Sequence, residues 1–320
     1  MNIRRQRGAA LLTAMIIVTL IASLAAGMVW QQYRAVQIEA ADRARAQAGW
    51  ILQGALDWAR LILLEDARQN RSKPVDHLGE PWAVPLAEAR LSTFLAADRT
   101  ASADDGPEAF LSGSIEDAQS RYNLRALLGG PQVPELELRT LERLCAQVNA
   151  PPATATLIVA GLRAAFPAPA SGASAPVVSE SGPLQPAGLD QLNWLGLDAD
   201  TIQRLQPYVV LLPKATPVNL NTAPREVIAA LFDGVDLATA ERLVQARKAQ
   251  PLQAVNDAAN VLPTGVALDT GRVAVASSFF VVTGRLRLDE RQLEQRSLIE
   301  RRDLGMVVLA RERINQLLDR

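Results

Sequence analysis

The sequence contains few of the residues from which catalytic, metal and redox sites are usually built. Its 320 residues include one cysteine and one histidine, so an internal disulfide and any site with two histidines are excluded. Cys145 ends the stretch Leu141–Cys145, whose apolar helical spacing favours a buried thiol over a nucleophile. His77 lies in a turn-like segment, which predicts a solvated loop histidine. The net charge of -1 gives no reason to expect a polyanionic partner.

Proline and acidic residues are both absent from the start of the chain. The first proline is Pro74 and the first acidic residue is Glu39. Three arginines precede the uncharged run Ala9–Tyr33, which as a helix reaches roughly 37 Å, more than a hydrocarbon core of about 30 Å requires. Because short basic flanks stay in the cytoplasm, everything after this run is predicted to lie outside it.

A plain signal anchor and a cleaved secretory signal are the alternatives for this segment. A cleaved signal fits poorly, because no helix-breaking boundary with a small-residue cut site follows. Gly8 lies where charge gives way to apolar residues, ahead of the membrane segment. Without a proline the helix is predicted to continue past the membrane. Its apolar face recurs at three- and four-residue steps, with Trp58 and Leu63 beside it: Ala44, Ala48, Ile51, Ala55, Ala59 and Ile62.

The next segment predicts loops with a candidate cation site. Glu80–Pro85 is too rich in proline for an internal strand and indicates an irregular surface loop. Four acids then cluster around Gly106: Asp98, Asp104, Asp105 and Glu108. They could hold calcium, but their spacing does not match an EF-hand, so a solvated acidic loop is favoured.

The remaining elements form two groups, helices in the middle and strands at the end. Helices are predicted at Leu136–Val148, at Thr154–Phe166 and from a cap at Asp198 towards Pro207. Residues 167–188 are dominated by Pro, Ala, Ser and Gly, which predicts a mobile loop. The strands expected around them are Phe110–Ile115, Phe279–Leu288, Leu293–Arg301 after a turn at 289–290, and Met306–Ala310.

The most distinctive extracytoplasmic motif is Val218–Pro224, which leads into a helix–turn–helix pair. Thr222 is predicted to cap the first helix, with Pro224 in its first turn. The pair resembles a helix–hairpin–helix, a module that grips nucleic-acid phosphates. Its turn has only Gly234, flanked by Asp233 and Asp236, whose charges would repel a phosphate.

Two other function classes remain open. A membrane-anchored helix–hairpin–helix protein for DNA binding or uptake would need a basic face, for which the pair offers only these residues: Arg225, Arg242, Arg247 and Lys248. A membrane-anchored enzyme would need a catalytic constellation. The sequence has no Ser/His/Asp order, no metal-ligand spacing and no glycine-rich phosphate loop.

The start of the chain resembles type IV pilin-like proteins, in which a prepilin peptidase cuts after such a glycine and the new N-terminus can be methylated. Taken together, four segments resemble the minor pseudopilin K family of type II secretion systems: Arg7–Leu12, Ile115–Gln119 with Asn123–Leu124, Val218–Pro224 and Gln295–Arg302. The resemblance covers nearly the whole chain. It implies a non-enzymatic subunit at the tip of a pseudopilus, which initiates it and helps to export proteins across the outer membrane.

The family implies an α+β, type IV pilin-like fold with a large inserted all-helical domain. By that resemblance the chain divides into a leader at 1–8, the membrane half of the helix at 9–33, its periplasmic half at 34–72, the pilin-like domain at 73–125 and 276–320, and two SAM-like, helix–hairpin–helix-like modules at 126–213 and 214–275. It also implies calcium, with no ligand positions matched here, and no cofactor for catalysis.

The partners implied are the I, J and H minor pseudopilins, the major pseudopilin, the prepilin peptidase and the inner-membrane secretion platform, with no nucleic acid. Processing is expected between Gly8 and Ala9, in an inner-membrane protein whose C-terminal domain is periplasmic. The partner interface is expected on the helix at Ile51, Ala55 and Ile62.

One departure from ordinary pilins concerns the fifth residue after the cut. Those subunits have a glutamate there, which pairs with the N-terminus of a neighbour, whereas this chain has Thr13. A buried carboxylate without its partner is costly, so the acid suits only a subunit that docks beneath another. Its absence predicts a subunit with none above it.

Overall fold

The computed structural model describes residues 6–91, 109–167, 183–288 and 291–317. The chain divides into two compact units, Met1–Ala55 and Leu56–Arg320. In its described part the first unit is the beginning of one long helix, α1, which runs from Gln6 to Gln69. Side chains from residues 9 to 40 are exposed, and this part of α1 is long and apolar enough to cross a membrane.

The second unit contains the end of α1, a five-stranded sheet and a set of short helices. The strands are β1 (Leu86–Arg90), β2 (Ala109–Asp117), β3 (Tyr122–Asn123), β4 (Val209–Val210), β5 (Val218–Asn219), β6 (Val273–Ala274), β7 (Phe279–Leu288), β8 (Arg291–Arg302) and β9 (Gly305–Leu317). The further α-helices are α2 (Glu135–Gln147), α3 (Thr154–Ala165), α4 (Ala199–Leu205), α5 (Arg225–Leu231) and α6 (Leu237–Ala249). Short 3-10 helices occur at Pro81–Ala83, Ala118–Ser120, Leu124–Leu128, Leu189–Leu195 and Val255–Asn260.

The sheet is antiparallel throughout, in the order β1-β2-β7-β8-β9. Alternate side chains of a strand point to the same side of the sheet. The apolar side chains on one side of this sheet pack on the end of α1. This core consists of Leu56, Ala59, Leu63, Trp82, Phe280, Val282, Ile299 and Met306. We call this part, residues 56–117 and 279–317, the sheet region.

The chain leaves the sheet after Asp117 and returns to it at Phe279. The excursion, residues 118–278, is the helical region. Its core is formed by the apolar faces of α2 to α6, while two short parallel pairs, β3 with β4 and β5 with β6, tie its loops together. The side chains of Asp198 and Asp236 cap α4 and α6 by accepting from the backbone N–H of Thr201 and Thr239.

The expected α+β architecture is therefore confirmed, as are the predicted middle helices and the strand at Phe279–Leu288. Strand β1 was missed, and β9 is longer than expected, ending at Leu317. The expected turn at residues 289–290, the acidic loop with Asp98, Asp104, Asp105 and Glu108, and residues 168–182 of the predicted mobile loop lie outside the described residues.

Three sequence-based expectations were wrong in detail. Glu80–Pro85 is not an irregular surface loop, because its prolines flank a 3-10 turn that buries Trp82 against Phe280, with ring centroids 5.3 Å apart. Trp58 does not join the buried face of α1 and is 63% exposed. Thr222 does not cap α5, which begins directly after Pro224 without a side-chain cap.

Candidate functional site

The N-terminal residues with predicted roles all lie in the first turns of α1. Gly8 and Ala9 are helical, and cleavage between them stays a prediction. The Thr13 hydroxyl donates to the Ala9 carbonyl at 2.9 Å. This side chain is therefore uncharged and already has a partner within its own helix. It presents no group that needs a cation from a neighbouring subunit.

The predicted partner face of α1 is only partly available in the isolated chain. Ile51, Ala55 and Ile62 are all half-buried, and Ile62 packs against the core beneath the sheet. Other apolar side chains on the same stretch are more exposed: Trp50 at 77%, Trp58 at 63% and Leu61 at 50%. Large exposed aromatics are typical of protein–protein contact surfaces. The interface at Ile51, Ala55 and Ile62 stays a prediction.

The most extensive polar site among the described residues lies where the sheet region meets the helical region. It brings together residues from the loop after α1, the end of β2 with the 3-10 turn that follows, β5 and the turn before α5, the entry to β7 and the end of β8. We call it the junction, and its side chains are Asp76, Asp117, Gln119, Asn219, Thr222, Ser277 and Arg301.

Asp117 lies at the centre of the junction and is 3% exposed. Its Oδ2 accepts from Asn219 Nδ2 at 3.0 Å, from the Thr222 hydroxyl at 2.6 Å and from the Ser277 hydroxyl at 2.6 Å. Its Oδ1 accepts from the Gln119 backbone N–H at 2.7 Å. Burial raises the pKa of Asp117 to about 6, even though these donors favour the charged form. Thr222 thus binds a carboxylate of the sheet region instead of capping α5.

Arg301 extends this network towards α1. Its guanidinium donates to Asp66 Oδ2 at 2.8 Å, to Asp76 Oδ1 at 2.6 Å and to the Ser277 carbonyl at 2.6 Å. Asp76 in turn accepts from the Ser277 backbone N–H at 2.6 Å. Burial, followed by the nearby carboxylates Glu80 and Asp76, raises the pKa of Asp66 to about 6 despite Arg301. Polar contacts therefore run without interruption from the end of α1 to the helical region.

Other contacts link the sheet region and the helical region at the same boundary. Gln119 donates through Nε2 to the Pro217 carbonyl at 2.9 Å and accepts from the Ser278 N–H at 2.6 Å. Lys214 reaches back to the buried Glu300 at 2.7 Å. A small apolar cluster accompanies them, formed by Ala118, Leu212 and Phe279.

The acidic group Asp66, Asp76 and Glu80 is the one described set of carboxylates close enough together to hold a metal ion. Asn70 donates to both Asp66 Oδ1 and Glu80 Oε1, at 3.0 and 3.1 Å. The indole of Trp82 and the backbone N–H of His77 occupy Glu80 Oε2, at 2.6 and 3.0 Å.

With the Arg301 and Ser277 contacts, all six oxygens of this group accept from protein donors. Calcium takes six to eight oxygen ligands, and carboxylates bind it best when no other cation neutralises them. The described residues here do not fit the calcium that the resemblance implies, because the Arg301 guanidinium already supplies the positive charge.

The helix–turn–helix pair uses its turn charges internally. Asp233 forms ion pairs with Arg143 and, at 3.1 Å, with Arg139, both from α2. Asp236 is taken up as the cap of α6. Both carboxylates therefore serve packing and capping, and the expectation that they would repel a phosphate stays a prediction.

The candidate basic face of the pair is likewise engaged. Arg225 pairs with Glu226 at 3.0 Å and lies 3.5 Å from Glu241. Arg242 donates to the Thr239 hydroxyl, and Arg247 is buried and donates to the Leu220 carbonyl. Of the four predicted residues only Lys248 is exposed without a contact described here. This is not the unpaired basic surface that phosphate binding requires.

The lone cysteine and histidine do not form a reactive site. Cys145 is buried as predicted, and burial raises the pKa of its thiol to about 11, which keeps it unreactive. His77 is less solvated than expected, because its Nδ1 accepts from the Gly79 N–H at 3.1 Å. A groove of about 500 Å³ opens beside the junction, and its walls include Leu78, Ser114, Asp117 and Thr222. The Asp117 carboxylate there is already occupied by four donors.

Sequence reasoning did not identify the junction, although it singled out its parts. Four separate segments carry part of the resemblance to the protein K family: Ile115–Gln119, Asn123–Leu124, Val218–Pro224 and Gln295–Arg302. In the structure all four lie at this boundary, where the Asn123 amide also bonds to the Thr216 hydroxyl at 3.0 Å. The signal was available in their composition: short polar runs between apolar elements, each rich in side chains that form hydrogen bonds.

Comparison with known proteins gives consistent matches. Family models described as type II secretion system protein K match residues 120–214 and 218–276. The type II secretion system protein K of Pseudomonas aeruginosa is 30% identical, over 97% of this chain and 93% of that protein. The protein of the same name from Klebsiella pneumoniae is 29% identical, over 95% of each.

A solved structure shares the fold. A chain in the crystal structure of the GspK-GspI-GspJ complex from the type 2 secretion system of enterotoxigenic Escherichia coli aligns with a TM-score of 0.65. It is 22% identical to this chain, and the alignment covers 85% of this chain and 98% of that one.

Proposed function

The chain belongs to the type II secretion system protein K family of minor pseudopilins, and from that membership we propose that it forms the tip of a pseudopilus. In this role it initiates or caps the filament with other minor pseudopilins, and the assembly drives protein export across the outer membrane. The observation that carries the proposal is the extended match to this family, combined with a long exposed apolar helix that bears Thr13 in place of an acid.

Two features support a position with no subunit above. The Thr13 hydroxyl is satisfied by the Ala9 carbonyl, so nothing in this helix requires the N-terminus of a neighbour. The helical region, residues 118–278, adds a second hydrophobic core larger than the one beneath the sheet. We propose that this bulk prevents a further subunit from stacking above it.

The proposed partners are the I, J and H minor pseudopilins and the major pseudopilin. The similar solved chain comes from a complex named for GspK, GspI and GspJ. On this chain the proposed contact surface is α1, through Ile51, Ala55 and Ile62. The exposed Trp58 beside them adds an aromatic side chain suited to bury against a partner.

The proposed location is the inner membrane, with the N-terminus cytoplasmic and the C-terminal domain periplasmic. Its support is the single described helix long and apolar enough to span a membrane, and the three arginines ahead of it. A prepilin peptidase would cut between Gly8 and Ala9, and the secretion platform in the same membrane would take up the processed subunit.

The alternative functions have less support. DNA binding is not favoured, because the arginines of the helix–turn–helix pair are engaged in ion pairs and backbone contacts. We propose a non-enzymatic role, consistent with a family of structural pseudopilins.

We propose that the calcium implied by the resemblance binds away from the Asp66, Asp76 and Glu80 group. The support is the hydrogen bonding of all six carboxylate oxygens in that group. Calcium should therefore raise the melting temperature of the wild type and of Glu80→Gln equally. A calcium effect that is present in the wild type and lost in the variant would contradict this location.

The proposed function is tested by expression of the tagged full chain with and without the prepilin peptidase and the other minor pseudopilins. We expect it to copurify with those subunits and its intact mass to show loss of residues 1–8. A charge introduced by Trp58→Glu should weaken the complex, whereas the matched exposed change Gln203→Glu should not. Retention of Met1 to Gly8 with the peptidase present, and no copurification, would leave a plain membrane anchor.

A further inference from the structure

We propose that the junction around Asp117 holds the helical region in one fixed orientation on the sheet region. The inference goes beyond the proposed function, because it concerns a conformational constraint within this chain and needs no partner. It assigns a role to Val218–Pro224, the most distinctive motif after the membrane segment, which does not cap α5 in this fold.

The covalent connection between the two regions would by itself permit a hinge. In the described part of the chain there are two crossings of the boundary, after Asp117 and again before Phe279. Two adjacent strands of one sheet, β2 and β7, carry these crossings, so both lie at the same end of the sheet. Two neighbouring connections define an axis about which an inserted domain can rotate.

The junction opposes such a rotation because its donors come from both sides. Asp117 in the sheet region accepts from Asn219 in β5, from Thr222 in the turn before α5 and from Ser277 at the returning crossing. The same Asn219 amide also donates to the Asp76 carbonyl at 3.1 Å. A rotation of the helical region would remove at least two of these bonds from a buried carboxylate at once.

A carboxylate suits this role better than an apolar contact. Apolar packing tolerates small sliding, whereas a hydrogen-bonded group has few alternative arrangements. In the contacts above, Asp117 pairs with no arginine or lysine. Its negative charge is therefore stabilised by neutral donors, which must lie in specific positions. Burying such a group does not stabilise the fold. It determines instead which arrangement of the two regions is adopted.

The test measures the distance distribution between two spin labels in the full chain in lipid nanodiscs. Gln203→Cys in α4 and Arg311→Cys in β9 place the labels at exposed positions, one in each region. Native Cys145 is buried and does not compete for the label. With the junction intact we expect one narrow distribution. Asp117→Ala should at least double its width, and the conservative Asp117→Asn should give an intermediate value.

Asp236→Ala is the matched control, because it removes another aspartate that bonds to backbone, the cap of α6, without changing the junction. It should leave the width unchanged. Folding is checked by circular dichroism. If Asp117→Ala does not fold, the double variant Thr222→Val with Ser277→Ala replaces it, because it removes two donors and keeps the acid. A broadened distribution in either folded variant supports the proposal. A width equal to that of the wild type in the folded variant overturns it.

Discussion

The helical region buries thirty apolar side chains in its described core, whereas the core beneath the sheet contains eight. Three of those eight, Leu56, Ala59 and Leu63, come from α1, and none of the thirty does. The sheet region therefore depends on the long helix to cover its apolar face. The helical region has a core of its own, and its attachment to the rest is largely polar. The α1 helix, through which we propose assembly with other subunits, is thus also part of the smaller core.

The largest effect is expected from a cavity in the smaller core. Phe280 is fully buried against Trp82 and beneath Arg301, and Phe280→Ala should lower the free energy of unfolding by about 3–5 kcal/mol. Hydrogen exchange should quicken in β7, β8 and the end of α1. The matched variant Leu144→Ala, in the larger core, should cost about 2–5 kcal/mol and quicken exchange in α2 and α5 instead. Faster exchange in the sheet for both variants would contradict the separation of the two cores.

The polar boundary between the regions should make stability depend on pH. Burial raises the pKa of Asp117 and of Asp66 to about 6, above the ordinary value of 3.8. A folded-state pKa above the unfolded one means that the folded chain holds the proton more tightly. The resulting stabilisation is complete below pH 3.8 and is lost as the pH rises through 6.

Between about pH 5 and 7.5 the free energy of unfolding should therefore fall by on the order of 1 kcal/mol for each of these groups. Denaturant titrations across this range provide the measurement, and Asp117→Asn should remove about half of the dependence. Asp236→Asn should not alter it, because hydrogen bonds to Thr239 lower the pKa of Asp236 and its effect appears only in more acidic solution. A slope of opposite sign in the wild type would show that the junction is not desolvated.

The smallest effect is expected at the surface of the helical region. Asp233 bridges Arg139 and Arg143, and its own side chain is more than half exposed while the two arginines are half-buried. Asp233→Asn should cost less than about 1 kcal/mol, and less still in high salt. A loss as large as that of Leu144→Ala would mean that the helical region depends on these charges and not on its apolar core.

Apolar periodicity was sufficient to predict the parts of this fold that depend on local pattern. The continuous helix past Tyr33, the helices at Leu136–Val148 and Thr154–Phe166, and the cap at Asp198 follow from spacing and from side-chain chemistry within a few residues.

The junction could not be predicted in the same way. Asp117 and Ser277 are 160 residues apart in the sequence, with Asn219 between them. Nothing in the local sequence indicates that the three side chains meet. Thr222 shows the difficulty well. Its position before a helix predicts a cap, but a buried carboxylate from a distant strand competes successfully for its hydroxyl.

The position of the subunit in assembled filaments tests the central claim most directly. Pseudopili can be produced with a labelled copy of this chain in place of the unlabelled one, and the label can be located along each filament by electron microscopy. For a chain that has both Thr13 and the helical region, we expect label at one end of each filament only, in few copies. Label spread along whole filaments, in amounts that match the major subunit, would contradict it.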